Sequence, residues 1–231
     1  ILTKEALRGA KELPDVETKF VTLAGKKIAS CLSTYRCYDV AAAGRGDVNK
    51  PCVDITDDAD EIFRDMYKAD GIIIGSPVYW GGVPAQLKAL IDRTMGFEPL
   101  GYALRNKVGG VVVVAYDRQG GHEGTIKHIH TWMLMMDMLP VGIGPDRSAV
   151  KEKPKNYERG IGGYLGAMAL DNLGPRVYAG AQPLDGVKSD RLGLSAARLL
   201  GKRVAEVAKV VKYGFEHLPK EELAWPRGPL K

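Results

Sequence analysis

The chain has 231 residues, 45% of them hydrophobic and 26% charged, which suits a single globular domain with a sizeable core. Its net charge of +5 comes from scattered Lys and Arg residues, which disfavours nucleic-acid binding and favours contact with anionic small molecules. No apolar run approaches the roughly 20 residues that span a bilayer, and three cysteines without a visible signal peptide indicate a reducing, cytoplasmic location.

Strand and helix patterns then alternate along the chain. Residues 1–13 already carry a helical pattern, so we expect that an amino-terminal strand and its loop have been lost. The further predicted elements are a strand over 17–23, a loop over 24–54, a helix over 54–68, a buried strand over 71–75, a helix from Pro84, a buried strand over 107–116, a helix over 125–136, a short strand over 139–143 and a helix over 190–212.

This order predicts one α/β domain, a doubly wound parallel sheet in a three-layer α/β/α sandwich. The lost front end would supply the central strand in the strand order 2-1-3-4-5. Residues 144–189 read as a long connection, and residues 213–231 read as an extended tail.

The loop after the buried strand 71–75 is the most informative part of the chain. It contains Ser76, Pro77, Val78, Tyr79, Trp80 and Gly81. Open parallel sheets bind ligands at the carboxyl ends of their strands. The two adjacent aromatic side chains offer flat apolar faces, and the glycine lets a ligand approach the backbone closely. We therefore expect a planar ring system as the ligand.

The stretch 75–93 resembles the flavodoxin-like NAD(P)H-dependent FMN reductases and, within them, the iron–sulfur flavoproteins. Their pattern, roughly G-S-P-x-Y-x-G-x-x-x-x-x-L-K-x-x-I-D-R, is matched at Gly75, Ser76, Pro77, Tyr79, Gly81, Leu87, Lys88, Ile91, Asp92 and Arg93. The resemblance implies a flavodoxin-like fold and FMN as cofactor, with this loop against the isoalloxazine ring. A plain strand-to-helix turn with packed aromatic residues is the competing interpretation.

A second run, residues 116–125, resembles the second flavin loop of the same family, R-x-G-G-Q-E-x-T. It is matched at Arg118, Gly120, Gly121, Glu123 and Thr125, and His122 stands where the family commonly has Gln. The resemblance implies that the pyrimidine edge of FMN meets Tyr116, Asp117, Gly120, Gly121 and His122. Successive N–H groups of a Gly-Gly turn can donate to the flavin, and the imidazole could replace the amide or titrate near neutral pH. The family's phosphate-binding loop is absent from this sequence.

The three cysteines lie in the predicted loop 24–54. Iron–sulfur flavoproteins carry C-x-x-C-x-x-C and a fourth cysteine in this loop, whereas this chain has Cys31, Thr34, Cys37 and Cys52. A [4Fe–4S] cluster takes four thiolates, so the neutral Thr34 hydroxyl disfavours it. The absence of a nearby histidine also disfavours zinc. The sequence therefore predicts buried or free thiols and no metal site, with a remnant cluster loop and a bound cluster kept as the alternatives.

The resemblance implies an FMN-dependent oxidoreductase that takes hydride from NADH or NADPH and passes electrons to a quinone, a flavin or another small acceptor. Because the flavin carries this chemistry, no acid–base residue is assigned. The resemblance also implies a homodimer or homotetramer. Two alternatives stay open: a flavodoxin-like electron carrier without nicotinamide turnover, and a non-catalytic flavodoxin-like interaction protein.

Overall fold

The computed structural model describes residues 1–117, 119–144, 163–171 and 186–223, so Arg118 lies outside the described part. Its helices are α1 Leu2–Ala10, α2 Arg36–Ala42, α3 Ala59–Lys68, α4 Ala85–Arg93, α5 His122–Met135, α6 Gly186–Ser189 and α7 Arg191–His217. Its strands are β1 Gly71–Pro77, β2 Val108–Ala115, β3 Leu139–Pro140 and β4 Ala167–Leu170.

The described strands form one parallel sheet centred on β2. Strand β1 pairs with β2 along its whole length, from Gly71 opposite Val108 to Pro77 opposite Val114. The other edge of β2 pairs first with β3 and then with β4, both parallel to β2. The N–H of Ile143, after β3, donates to the carbonyl of Gly163, before β4, at 3.0 Å, so the segments that follow β3 and precede β4 are in contact. Strands β3 and β4 therefore lie one after the other along the same edge of β2.

Helices cover both faces of this sheet, as the α/β/α prediction requires. Side chains of a strand alternate between the two faces. Ile72, Val111 and Val113 join the core formed with α3, α4 and α5, whereas Val112 and Val114 join the core formed with α1 and α7. The three-layer flavodoxin-like architecture expected from the sequence is therefore confirmed.

Helices α1 and α7 pack with their backbones in direct contact. A Cβ atom at Gly201 would lie 1.7 Å from the carbonyl oxygen of Ala6, and one at Gly9 would lie 1.9 Å from that of Arg198. Only glycine fits at both positions. Just after the end of α1, the Glu12 carboxylate pairs with Arg198 and Lys202, so ion pairs add to the packing that holds α7 beside α1.

Several elements differ from the sequence expectations. Residues 17–23 form no strand, because alternation alone is insufficient where no partner pairs with the segment among the described residues. The predicted loop 24–54 contains α2, and α3 begins only at Ala59. The predicted long connection 144–189 contains β4 and α6. Helix α7 continues to His217, whose ring Nδ1–H donates to the carbonyl of Tyr213 at 2.9 Å, so the first residues of the predicted tail are helical.

Candidate functional site

The carboxyl ends of β1 and β2 bring the two predicted loops together. The N–H of Val78 donates to the carbonyl of Val114 at 2.8 Å, which continues the β1–β2 pairing one residue beyond the end of β1. Farther out, a Cβ atom at Gly121 would lie 2.7 Å from the Cα of Gly81. The two loops therefore touch backbone to backbone, and the sites predicted separately from two motifs form one surface.

The first loop ends in a two-residue hairpin turn. Tyr79 and Gly82 exchange backbone hydrogen bonds of 3.0 and 3.1 Å, and the two central residues, Trp80 and Gly81, have φ angles of 48° and 81°. Positive φ at both central positions is typical of type I′ turns, in which Gly, Asn and Asp predominate. Trp80 is fully exposed and Tyr79 is also exposed. A bulky residue in a left-handed conformation, with its ring in solvent, is the kind of local strain that occurs at ligand-binding sites.

Ser76 and Gly75 shape the base of this loop. The Ser76 hydroxyl is buried and donates to the carbonyl of Pro77 at 2.7 Å, so it supports the loop backbone. A Cβ atom at Gly75 would lie 2.1 Å from the hydroxyl oxygen of Thr3 in the first turn of α1. Helix α1 therefore begins beside the same end of the sheet. Pro77 is exposed and Val78 is half-buried, which leaves residues 77–81 as the accessible part of the loop.

The second loop leads directly into the amino terminus of α5. Tyr116 and Asp117 are exposed, and the carbonyl of Asp117 accepts from the N–H of Gly120 at 3.0 Å. Gly121 then caps α5 with a φ angle of 97°. The first N–H groups of a helix have no intrahelical acceptor and carry its positive dipole end. This loop can therefore present backbone donors to an electron-rich edge of a ligand.

The side chain of His122 turns away from this surface. It is buried, and its Nε2–H donates to the carbonyl of Ala169 in β4 at 2.9 Å. Its imidazole therefore anchors the start of α5 to β4, and its backbone N–H is the group left to face a ligand. The sequence motif placed residue 122 at the site but held no information on the direction of its side chain.

The cysteine loop forms a second candidate site, lined by Cys31, Thr34, Cys37 and Cys52. Burial raises the pKa of the Cys37 thiol, and the nearby Cys31 and Cys52 sulfur atoms raise it further. The Thr34 hydroxyl donates to Asp54, so the position of the family's second cysteine holds an engaged neutral group. Three thiols surround one cavity here, which does not match a site of four thiolates.

A buried arginine, whose role the sequence analysis missed, lies beneath this cavity. The Arg93 side chain is fully buried; its Nη1–H bonds to the Asp57 carboxylate measure 2.7 Å, and its Nε–H donates to Cys52 Sγ at 3.4 Å. Burial acts to raise the pKa of Asp57, but Arg93 and the N–H groups of Ala29 and Ala59 outweigh it and hold this pKa below its usual range. The acidic run at residues 57–60 was the available signal for such a partner.

The described residues contain neither a group of side chains arranged around a single metal ion nor a membrane-spanning helix. No group of three or more His, Cys, Asp or Glu side chains in ranges 1–117, 119–144, 163–171 and 186–223 is arranged to hold a single metal ion. No helix in these ranges is both long enough and apolar enough to cross a membrane.

Comparison with known proteins places the chain in a family. Residues 1–144 match the family model of NADPH-dependent FMN reductases. An iron–sulfur flavoprotein of Methanocaldococcus jannaschii is 39% identical over 92% of this chain and 91% of its own length. An iron–sulfur flavoprotein of Archaeoglobus fulgidus is 34% identical over 88% and 87% of the two chains. An NAD(P)H dehydrogenase (quinone) of Geobacter metallireducens is 30% identical over 64% of this chain and 66% of its own.

Solved structures share the fold at low sequence identity. RosB, solved with the bound intermediate 8-demethyl-8-formylriboflavin-5′-phosphate, has a TM-score of 0.61 at 16% identity, covering 92% of this chain and 72% of its own. A flavone reductase has a TM-score of 0.55 at 16% identity, covering 92% and 59%. The matched family model spans the two loops and the cysteine cavity alike, and the chain belongs to the NADPH-dependent FMN reductase family, with extensive similarity to its iron–sulfur flavoproteins.

Proposed function

We propose that this chain binds FMN between the loops 76–81 and 116–122 and passes electrons from NAD(P)H to a quinone, a free flavin or another small acceptor. Its class, an NAD(P)H-dependent flavin or quinone reductase, follows from its family. The observation that carries the proposed site is the contact between Gly81 and Gly121, because it unites two glycine loops at the ligand-binding end of a parallel sheet.

The loops offer two kinds of contact to a flavin. The exposed rings of Tyr79 and Trp80 can pack against a planar ring system. The N–H groups at the start of α5 can donate to an electron-rich edge and stabilise negative charge that develops there. FMN, when bound, supplies hydride acceptance and onward electron transfer, whereas the protein supplies position and electrostatics.

The exposure of these loops supports a small, exchangeable acceptor. Tyr79, Trp80 and Tyr116 all lie at the surface rather than beneath a cover of described residues. A nicotinamide and a quinone could therefore reach the same ring face in turn. The relatives named NAD(P)H dehydrogenase (quinone) support a quinone as this acceptor.

Steady-state oxidation of NADH and NADPH by the FMN-loaded protein tests the proposal. We expect nicotinamide oxidation that depends on an added quinone, on free FMN or on ferricyanide, with ping-pong kinetics. Bound FMN without nicotinamide oxidation would favour the electron-carrier alternative. A full-length protein that binds no FMN would contradict the proposed site and favour an interaction protein.

We further propose a cytoplasmic homodimer or homotetramer. Three free cysteines support a reducing compartment, and an oligomer is what the resemblance to the flavodoxin-like reductases implies. Sedimentation analysis should show a dimer or tetramer of the 25.1 kDa chain. A monomer at micromolar concentration would contradict this part of the proposal.

A further inference from the structure

The residues of the cysteine cavity do not fit an iron–sulfur cluster, which takes four thiolates. Three cysteines and Thr34 line the cavity. The Thr34 hydroxyl donates to the Asp54 carboxylate, which also accepts from Arg36 Nη1 at 2.6 Å, so the fourth position holds a neutral group that is already engaged. The described Cys, His, Asp and Glu side chains form no group arranged around a metal ion. The three free thiols are therefore available for chemistry of their own.

Cys31 and Cys37 lie at the two ends of a short turn. Only five residues separate them in the sequence. Two of these residues, Ser33 and Tyr35, have left-handed φ angles of 55° and 59°. Left-handed residues reverse the direction of the chain, as they do in tight turns. Both thiols consequently line the same cavity, although Cys37 already belongs to α2.

The Cys31 end of this turn is free of regular structure, whereas the Cys37 end is fixed in a helix. Residues 31–34 lie outside the helices and strands. Leu32 and Tyr35 are 62% and 58% exposed, so the turn lies at the protein surface, where loops adjust most easily. Both thiols are half-buried and therefore partly accessible to small solutes. The turn can supply the shift that brings the two Cα atoms within the roughly 4.4–6.8 Å that a disulfide requires.

Cys52 is held in place by contacts of its own segment. A Cβ atom at Gly96 would lie 2.3 Å from the carbonyl oxygen of Pro51, so the residue before Cys52 is pressed against the turn that follows α4. The buried Arg93 Nε–H donates to Cys52 Sγ at 3.4 Å. Cys52 would lose these contacts if it moved toward the turn 31–37. Cys31 and Cys37 are therefore the pair that can join at the least structural cost.

We propose that Cys31 and Cys37 form a reversible disulfide, so that this cavity is a dithiol redox site rather than a cluster site. A peroxide is the oxidant. Both S–H bonds and the O–O bond of hydrogen peroxide break, one S–S bond forms, and the two electrons and two protons of the thiols end in two water molecules. A dithiol reductant reverses the reaction by thiol–disulfide exchange.

The proposed disulfide is compatible with the rest of the account. Disulfides of proteins in a reducing compartment are usually transient and serve catalysis or redox sensing. The cavity shares no lining residue with the flavin loops 76–81 and 116–122. The proposal therefore does not depend on the proposed function, and its failure would leave the flavin site untouched.

Thiol counting and peptide mapping of the peroxide-treated protein test this proposal. Trypsin cleaves after Arg36, between Cys31 and Cys37, so the disulfide would join two otherwise separate peptides, 28–36 and 37–45. After treatment of the reduced wild type with a small excess of hydrogen peroxide, we expect the chain to lose two of its three free thiols. The two peptides should then be recovered as one joined species. Dithiothreitol should restore all three thiols.

Single cysteine variants assign the pair. Cys52→Ser should lose both of its remaining thiols and give the same joined peptides, because the reacting pair is intact. Cys31→Ser and Cys37→Ser should each keep both remaining thiols under the same treatment, because one partner is missing. These two variants are matched controls for each other, since each removes one end of the same turn.

Four results on the wild type would overturn the proposal. The first is a chain that keeps all three thiols, and the second is a loss of thiols that dithiothreitol does not reverse. The third is a disulfide that includes Cys52 or a second copy of the chain. The fourth is stable binding of about four irons with sulfide after anaerobic reconstitution, because the thiols would then be cluster ligands. All four are measured on the wild type, so a variant that fails to fold does not obscure them.

Discussion

Trp80 is the residue at which local backbone cost and proposed function conflict most clearly. It occupies a left-handed position at the tip of a hairpin turn, although L-residues pay about 1–2 kcal/mol for that conformation. Its ring is fully exposed, so burial within the chain does not offset this cost. A flavin ring packed against Trp80 would offset this backbone cost. We therefore assign Trp80 to the proposed flavin site.

Replacement of Trp80 by glycine should therefore separate stability from binding. We expect Trp80→Gly to raise the free energy of unfolding by about 1 kcal/mol, because the strained φ becomes acceptable. The same variant should bind FMN about 2- to 10-fold more weakly, because an aromatic contact is lost. Denaturant unfolding and flavin titration measure the two effects. Trp80→Phe is the control, because it retains an aromatic ring and the strained left-handed backbone. A Trp80→Gly protein that binds FMN as tightly as the wild type would exclude Trp80 from the site.

Residue types at the site were more predictable than side-chain directions. The motifs placed Tyr79, Trp80 and Gly121 at the ends of neighbouring strands because strand–turn–helix patterns are local. The burial of His122 against β4 was not predictable, because it depends on a strand that lies 47 residues later in the chain. The same reason hid the Arg93–Asp57 pair, whose partners are 36 residues apart.

At the scale of elements, strong local patterns were predicted well and weak ones were not. The continuous apolar runs of β1 and β2 and the periodic faces of α4 and α7 lie within a few residues of their predicted positions. Strand β4 has only four residues in a glycine-rich region, and its pairing with β2 exists only in the folded sheet. Segment 17–23 has the alternating pattern of a strand, but no neighbouring strand among the described residues pairs with it. In both segments, the presence or absence of a pairing partner decides whether a strand forms, rather than the strand propensity of the residues.

The contact between α1 and α7 gives a matched pair of variants on a single helix. Gly201→Ala should lower the free energy of unfolding by about 1–3 kcal/mol, because its Cβ would overlap the carbonyl of Ala6. Gly214→Ala should be neutral or raise it by up to about 1 kcal/mol, since its Cβ would meet nothing closer than 3.8 Å and alanine favours a helix. Urea unfolding of both variants measures the difference. Equal effects would show that the two helices do not pack as closely as described.

At the scale of the whole molecule, the buried Arg93 links stability to pH. The pKa of Asp57 is held below its usual range in the folded protein by Arg93 and by two backbone N–H groups. A lowered pKa in the folded state stabilises the protein above the unfolded-state pKa, and this stabilisation is lost as pH falls through the folded-state pKa. Asp60, whose carboxylate lies 3.9 Å from Arg93, is the other acid that faces the guanidinium.

Asp57→Asn should therefore destabilise the protein most at neutral pH. We expect a loss of about 3–5 kcal/mol in the free energy of unfolding at pH 7, because Arg93 would keep a buried charge without its main partner. The difference from the wild type should begin to shrink as pH falls below about 3.9, the ordinary pKa of an unfolded-state Asp, and should vanish as pH falls through the lowered folded-state pKa of Asp57. Denaturant unfolding across pH measures this, with Asp92→Asn in the exposed Lys88–Asp92 pair as a control expected to cost about 0.5 kcal/mol or less. A pH-independent difference would contradict the assigned role of the pair.

Loops 76–81 and 116–122 together form the proposed FMN site, and the dissociation constant of FMN for two glycine variants tests this site most directly. A Cβ at Gly121 meets the Gly81 backbone at 2.7 Å from a φ of 97°, whereas one at Gly124 lies 3.6 Å from the same loop. With folding of both variants verified by thermal unfolding, Gly121→Ala should weaken FMN binding at least about tenfold. Gly124→Ala should stay within about twofold of the wild type. Unchanged binding in Gly121→Ala would contradict the account.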